Sequence, residues 1–61
     1  MISEHNAKQR CQWLITAMVG KDLADVWWST PNRAFDMRTP AGIWLEDYLK
    51  VYKYLMARAS E

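Results

Sequence analysis

The chain has 61 residues, of which 51% are apolar, and its eight Lys and Arg against seven Asp and Glu give a formal charge of +1. A chain of this length forms one domain with a small core, and so balanced a charge predicts no strong field for nucleic acid or a membrane surface. Cys11 is the only cysteine, which excludes an internal disulfide, and the apolar runs are too short to span a bilayer. Because residues 1–5 lack the basic region of a signal peptide, we expect a cytoplasmic protein.

The first predicted helix begins after Ser3, whose hydroxyl can cap the unpaired amides of the following turn. Gly20 predicts its end, since glycine adopts a left-handed backbone at little cost. Apolar residues at helical spacing predict the buried face of this helix, which consists of Ala7, Cys11, Leu14, Ile15 and Met18.

A second, short helix is predicted over residues 21–28. The spacing i, i+3, i+4 assigns its inward face to Leu23, Val26 and Trp27. An isolated helix of this length is not stable in water, so packing must hold it. It ends at the Ser-Thr-Pro segment, residues 29–31, because a residue before proline is pushed out of the helical region.

A joint is predicted between the two prolines, Pro31 and Pro40, which stand nine residues apart and each follow a threonine. Within it, residues 33–35 form one helical turn that points Phe35 inward. Thr39 then caps a third helix, with Pro40 at its first position, where the missing N–H is no loss. This helix is predicted to continue to about residue 57.

Two apolar stripes lie along the predicted third helix. The first consists of Trp44, Tyr48, Val51 and Leu55, and the second of Leu45, Leu49, Tyr52 and Met56. Together they cover more than the arc of about 100° that a small core needs, so we expect the second stripe to bind another chain, including a second copy in a homodimer. The predicted fold is all-α, a single domain over residues 1–61 with about three helices, a short helical turn and the last helix longest.

The four tryptophans are a large aromatic load for so short a chain. We expect Trp13 and Trp27 in the core, whereas Trp28 and Trp44 fit either the core or a partner surface.

Side chains that carry chemistry are sparse. His5 is the only histidine and fits an ordinary surface residue, while Cys11 lies on an apolar stripe as a small core residue. We therefore predict a non-enzymatic protein without a metal or cofactor. Arg33 and Arg38 fit either exposed loop residues that pair weakly with Asp36 or Glu46, or ligands for an acidic partner or a phosphate.

The segment ADVWWSTPNRAFDMRTPAGIW, residues 24–44, resembles the toxin-binding domain of the Xre/MbcA/ParS antitoxin family over about residues 20–57. The spacing of the two prolines is the same, and the motif positions in register are Trp27-Trp28, Thr30-Pro31-Asn32, Ala34-Phe35 and Arg38-Thr39-Pro40. The chain departs from the family pattern twice. Asp36-Met37 replaces two glycines, and Ala41-Gly42 replaces an apolar–acidic pair.

The resemblance implies a protein-binding module that covers the active site of a RES-domain, NAD-consuming toxin. Family members usually carry an N-terminal helix-turn-helix region, but only some twenty residues precede the match here. The resemblance therefore implies toxin binding without autonomous operator binding, in a stand-alone antitoxin or a decoy carried by a phage or plasmid. The expected contact combines the flexible tail after Met56 with a partner surface of Asn32, Arg33, Arg38, Leu45, Leu49, Tyr52 and Met56. The residues expected to build the motif are Trp27, Thr30, Pro31, Phe35, Thr39 and Pro40.

Two other classes of function stay open at this stage. A nucleic-acid-binding accessory protein would use Lys8, Arg10, Arg33 and Arg38 as phosphate contacts, although the balanced charge makes this class less favoured. A phage- or plasmid-encoded regulatory protein would use the same fold to bind an unrelated host factor.

Overall fold

A computed structural model describes residues 1–60, and Glu61 lies outside the described part. The helices are α1 (Glu4–Val19), α2 (Lys21–Trp27), a 3-10 turn (Arg33–Phe35), α3 (Pro40–Glu46) and α4 (Tyr48–Ala59). Residues 1–60 contain no β-strand, and the pair Asn32–Arg38 forms an isolated antiparallel bridge. The predicted all-α class is confirmed, but residues 1–60 form four α-helices rather than about three.

Both ends of α1 are set by the predicted residues. The Ser3 hydroxyl accepts a hydrogen bond from the Asn6 amide at 3.2 Å, which caps the helix start. Gly20 ends the helix with φ of 89°, and its N–H donates to the Thr16 carbonyl at 2.9 Å. A residue with a Cβ would be strained at this φ, so glycine fixes the corner between α1 and α2.

The predicted third helix is broken at Asp47, and the expectation of one helix from Pro40 to about residue 57 was wrong. Asp47 is extended, with φ of −159° and ψ of 91°, and its carboxylate accepts a hydrogen bond from the Leu49 amide at 3.2 Å. An aspartate that caps a new helix competes with continuation of the old one. The break also makes α1, with 16 residues, longer than α4, with 12.

The core lies where α1 packs against α2 and α4 and where α3 packs against α4. Its apolar residues, all less than a tenth exposed, are Ala7, Cys11, Ile15, Ala24, Phe35, Ile43, Trp44, Val51 and Leu55. The first predicted stripe therefore faces the core, with Tyr48 half-buried beside it.

The buried faces of α1 and α2 differ from the predicted ones. Met18 is 46% exposed, and in α2 Leu23 is 60% and Val26 50% exposed, whereas Ala24 is fully buried. Alanine occupies the contact with α1 because a small side chain lets the two helices approach closely. The predicted inward positions of Leu23 and Val26 in α2 were therefore wrong.

Three tryptophans and one tyrosine form a row of rings beneath α1. Neighbouring ring centroids along Trp27, Trp28, Trp44 and Tyr48 are 5.1 to 5.4 Å apart, and the contacts between tryptophans are edge-to-face. Such contacts stabilise by about 0.5–1.5 kcal/mol beyond the area they bury. Trp44 is thus a core residue, while Trp27 and Trp28 are half-buried.

Polar side chains of α1 accept hydrogen bonds from two of the three indole N–H groups in this row. Trp28 Nε1 donates to Gln12 Oε1 at 2.7 Å, and Trp44 Nε1 donates to Glu4 Oε1 at 3.0 Å. Lys8 Nζ lies 4.1 Å from the Trp28 ring centroid and 5.1 Å from that of Trp44. The exposed N-terminal half of α1 is therefore fixed to the rest of the fold by hydrogen bonds and cation–π contacts.

Within residues 1–60, none of the helices combines the length and the apolar composition needed to cross a membrane.

Candidate protein-binding surface

The joint, residues 31–39, is a closed, hydrogen-bonded loop. The Asn32 amide donates to the Arg38 carbonyl at 3.0 Å, and the Met37 amide donates back to the Asn32 carbonyl at 2.9 Å. Asn32 Oδ1 also accepts from the Ala34 amide at 2.9 Å, which starts the 3-10 turn. The backbone of the joint is therefore largely paired with itself, which favours one conformation over many.

Two residues at the tip of the joint adopt left-handed backbone conformations. The φ angles are 55° for Asp36 and 66° for Met37, and these are the positive-φ residues other than glycine in residues 1–60. Aspartate tolerates this region, but for methionine it costs about 1–2 kcal/mol. Met37 is also 60% exposed, so the local packing offsets little of that cost.

The joint is anchored to the helices at its middle and at its C-terminal end. Phe35 is 4% exposed and meets the Tyr54 ring edge-to-face at 5.1 Å. At the far end, the Thr39 hydroxyl accepts from the Gly42 amide at 3.1 Å and Pro40 begins α3, as predicted. The Ala41 amide donates to the Trp28 carbonyl at 3.0 Å, which ties the start of α3 to the end of α2.

The two arginines of the joint have different surroundings. Arg38 Nη1 lies 2.7 Å from Glu46 Oε2, and both side chains are about half exposed. The hydrogen bond from Arg38 holds the pKa of the Glu46 carboxyl below its usual value. Of the two alternatives for Arg38, the structure shows the pairing with Glu46, which links the joint to the end of α3. Arg33 is exposed at the start of the 3-10 turn.

The second apolar stripe is divided by the break at Asp47. Leu45, on α3, is 87% exposed, while Leu49, Tyr52 and Met56, on α4, are half-buried. The stripe consequently offers one prominent leucine and a shallower apolar strip along α4. It is the part of the predicted partner surface with the most apolar area accessible to another chain.

The chain end after Met56 is helical as far as Ala59, so the expectation of a flexible tail over residues 57–60 was wrong. The Ser60 hydroxyl donates to the Met56 carbonyl at 2.9 Å and closes the last turn. Residues 57–59 have high helix propensity and extend the pattern of α4. Glu61, the remaining tail residue, lies outside the described part.

Trp13 is a further large side chain that was expected inside and is exposed. Trp13, expected in the core, is 70% exposed on the outer face of α1 beside Gln9 and Arg10. The signal was present in the spacing, since Trp13 lies two residues from Cys11 and from Ile15 and therefore about 200° around the helix from each. The position of Trp13 on the helix, rather than the general preference of tryptophan for burial, therefore decides its exposure.

Within residues 1–60, no group of three His, Cys, Asp or Glu side chains could hold a metal ion. Cys11 is fully buried, and burial raises the pKa of its thiol to about 11, against a smaller opposite effect of Lys8. A thiol of this kind is a poor nucleophile at neutral pH. His5 is exposed at the start of α1, as predicted.

Comparison of the chain with protein-family models, with curated proteins and with solved structures finds no match. The joint and the second stripe together offer exposed arginines, exposed apolar side chains and a hydrogen-bonded loop, which are the elements of a binding surface.

Proposed function

We propose that the chain is a small non-enzymatic, antitoxin-like module that binds a partner protein through its joint and second stripe and acts by covering that partner's surface. The partner class implied by the resemblance is a RES-domain, NAD-consuming toxin. The mechanism needs no chemistry from the chain itself, because occlusion requires only shape, buried area and a slow dissociation rate.

The backbone at Asp36 and Met37 is the observation that carries the proposal. Both residues adopt positive φ at the two positions where the resembling family has glycines. A loop that needed no such geometry would relax from it, since methionine gains nothing intrinsic from the left-handed region. Positive φ is the backbone that glycine adopts most easily, so it supports the resemblance at these two positions and, with it, a related binding role with an altered tip.

The accessible residues around the joint suit a protein partner better than a nucleic acid. Of the four candidate phosphate contacts, Lys8 lies over the rings of two tryptophans and Arg38 is paired with Glu46. The other two, Arg10 and Arg33, lie on different elements, α1 and the 3-10 turn. By contrast, Leu45 and Met37 are 87% and 60% exposed apolar residues that a protein partner would bury.

The test measures inhibition of a RES-domain enzyme encoded beside the chain's gene. Purified enzyme is mixed with increasing chain, and NAD consumption is followed. We expect the unmodified chain to inhibit the enzyme. Arg33→Glu and Leu45→Asp should each weaken inhibition at least about tenfold, since the first reverses a charge in the proposed contact and the second introduces one. Where the gene neighbourhood lacks such an enzyme, a pulldown from the native host with mass spectrometry identifies the partner to be used.

Arg10→Glu is the matched control for Arg33→Glu, because Arg10 is an exposed arginine on α1 away from the joint. Circular dichroism of each variant separates loss of binding from loss of folding. Inhibition that is unchanged by both Arg33→Glu and Leu45→Asp in folded protein would contradict the proposed surface.

A further inference from the structure

The exposed face of α2 carries an apolar strip beside an acidic edge. At 100° per residue, Val26, Leu23 and the half-buried Trp27 follow one another around the helix, and Asp22 and Asp25 lie together on one side of them. Leu23 and Val26 are 60% and 50% exposed, and both aspartates are exposed. The proposed partner contact does not involve this face of α2.

The outer face of α4 has the same layout with the opposite charge. Tyr52, Met56 and Leu49 follow one another around the helix, and Lys53 and then Lys50 lie beside Leu49. The three apolar residues are half-buried and the two lysines exposed. Each helix thus pairs an apolar strip with two like charges spaced i, i+3, negative on α2 and positive on α4.

We propose that the chain self-associates by packing α2 of one copy against α4 of a second copy. Going around α2 in the direction of increasing helical-wheel angle, the acidic edge comes first and the apolar strip second. Going around α4 in the same direction, the apolar strip comes first and the basic edge second. Two facing helices that run in parallel present these orders in reverse to each other. The apolar strips then meet, and the aspartates of one copy face the lysines of the other.

Pairing α4 with α4 of a second copy is less favourable, although the apolar stripe alone predicts it. In an antiparallel arrangement Lys50 and Lys53 would face the same lysines of the other copy, and like charges in contact repel. In a parallel arrangement each lysine edge would cover the other copy's apolar strip. The α2 face is the complement that matches both the charge and the apolar residues.

The contact joins two different surfaces, so every copy carries one of each. A two-fold arrangement makes the contact twice and closes a dimer, whereas a single contact repeated from copy to copy extends into larger species. Because the charged edges are exposed, their attraction is screened by salt. Self-association is therefore expected to weaken as the salt concentration rises, whichever arrangement forms.

The test is a charge exchange followed by analytical ultracentrifugation of the full chain. The acidic-edge variant is Asp22→Lys/Asp25→Lys, and the basic-edge variant is Lys50→Glu/Lys53→Glu. We expect the unmodified chain to self-associate between about 10 µM and 1 mM at low salt, and each variant alone to associate at least about tenfold more weakly. An equimolar mixture of the two variants should associate again, since every lysine edge then faces an acidic one.

Arg10→Glu, at an exposed site on α1, is the control that should leave association unchanged. Should a double reversal unfold the chain, the neutral variants Asp22→Asn/Asp25→Asn and Lys50→Gln/Lys53→Gln replace it, and they should remove the salt dependence of association. An unmodified chain that is monomeric throughout this range overturns the proposal. So do folded variants that associate as well as the unmodified chain, or a mixture that stays monomeric. The outcome does not depend on the proposed antitoxin-like function, because no partner is present.

Discussion

Replacing Met37 by glycine and, separately, by alanine should reverse the usual order of stability. Both changes remove the methionine side chain, which is 60% exposed, and they leave the same local surroundings. They differ in the backbone, because φ of 66° is comfortable for glycine and unfavourable for alanine. The comparison of the two variants therefore isolates the conformational cost at the tip of the joint.

The magnitude follows from two opposing terms. A left-handed backbone costs an L-residue about 1–2 kcal/mol. Glycine costs roughly 0.5–1 kcal/mol through the greater freedom of the unfolded chain. The difference leaves Met37→Gly more stable than Met37→Ala by about 0.5–1 kcal/mol. In a chain of this size that corresponds to a melting temperature higher by several degrees, since about 1 kcal/mol shifts it by roughly 4–8 °C.

Urea unfolding followed by circular dichroism measures both variants, with Met56 as the matched control. Met56 lies in α4, where the backbone is right-handed, so Met56→Gly should be less stable than Met56→Ala by about 1 kcal/mol. The difference in stability between the glycine and the alanine variant should therefore have opposite signs at positions 37 and 56. An alanine variant at position 37 that is as stable as the glycine variant, or more stable, would refute the left-handed geometry and with it the main support for the proposed function.

Three further outcomes test the fold around the site. Thr39→Ala should lower the free energy of unfolding by about 0.5–2 kcal/mol, because the Thr39 hydroxyl caps α3 through the Gly42 amide; an unchanged urea midpoint would place the helix start elsewhere. Asp47→Ala should lower the free energy of unfolding by a similar amount through loss of the α4 cap. Its control is Asp25→Ala, at an exposed helical site. Because the pKa of Cys11 is raised from 9.0 to about 11, its lower ionisation alone should make it react with iodoacetamide at pH 8 about a hundredfold more slowly than an unfolded thiol. The free energy of unfolding should fall as pH rises from about 9 towards 11, since the unfolded chain releases the thiol proton first, and Cys11→Ala should remove this pH dependence.

The helix boundaries that were predictable from the sequence depend on local chemistry. Ser3, Gly20 and Thr39 act on amides and carbonyls within four residues of themselves, so the pattern of neighbouring residues was enough to assign them. Pro40 is equally local, since its ring and missing N–H suit the first position of a helix. The 3-10 turn ending in the buried Phe35 was found for the same reason.

The break at Asp47 and the inward face of α2 were not predictable in the same way. Apolar residues continue at helical spacing across Asp47, and aspartate is tolerated on exposed helix faces, so nothing local decides between a cap and a continued helix. Ala24 is buried because α1 lies against it, which is a tertiary choice between a small contact residue and large exposed ones. The exposure of Leu23 and Val26, which the self-association proposal uses, follows from that choice.

Of the candidate site, the sequence supplied the position of the joint but not the shape of its tip. The two prolines and their threonines fix where the joint lies. At Asp36-Met37 the sequence only raised the question of whether a turn usually built from glycines had changed. The hydrogen bonds from Asn32 to both sides of the tip hold the backbone there in spite of the side chains.

The proposed partner surface and the proposed self-association surface overlap on α4. Leu49, Tyr52 and Met56 belong to the surface proposed for a partner protein and to the α4 strip proposed for self-association. One copy cannot use them for both, so self-association reduces the fraction of chain that is competent to bind. The apparent dissociation constant for the partner rises in inverse proportion to that fraction.

The acidic-edge variant, Asp22→Lys/Asp25→Lys, separates the two effects because it changes neither the joint nor the stripe. At chain concentrations where the unmodified protein self-associates, this variant should inhibit the RES-domain enzyme at a lower total concentration. At concentrations where the unmodified chain is monomeric, the two should inhibit equally. Equal inhibition under both conditions, with self-association verified in the same samples, would mean that the partner contact does not include the α4 strip and is confined to the joint and Leu45.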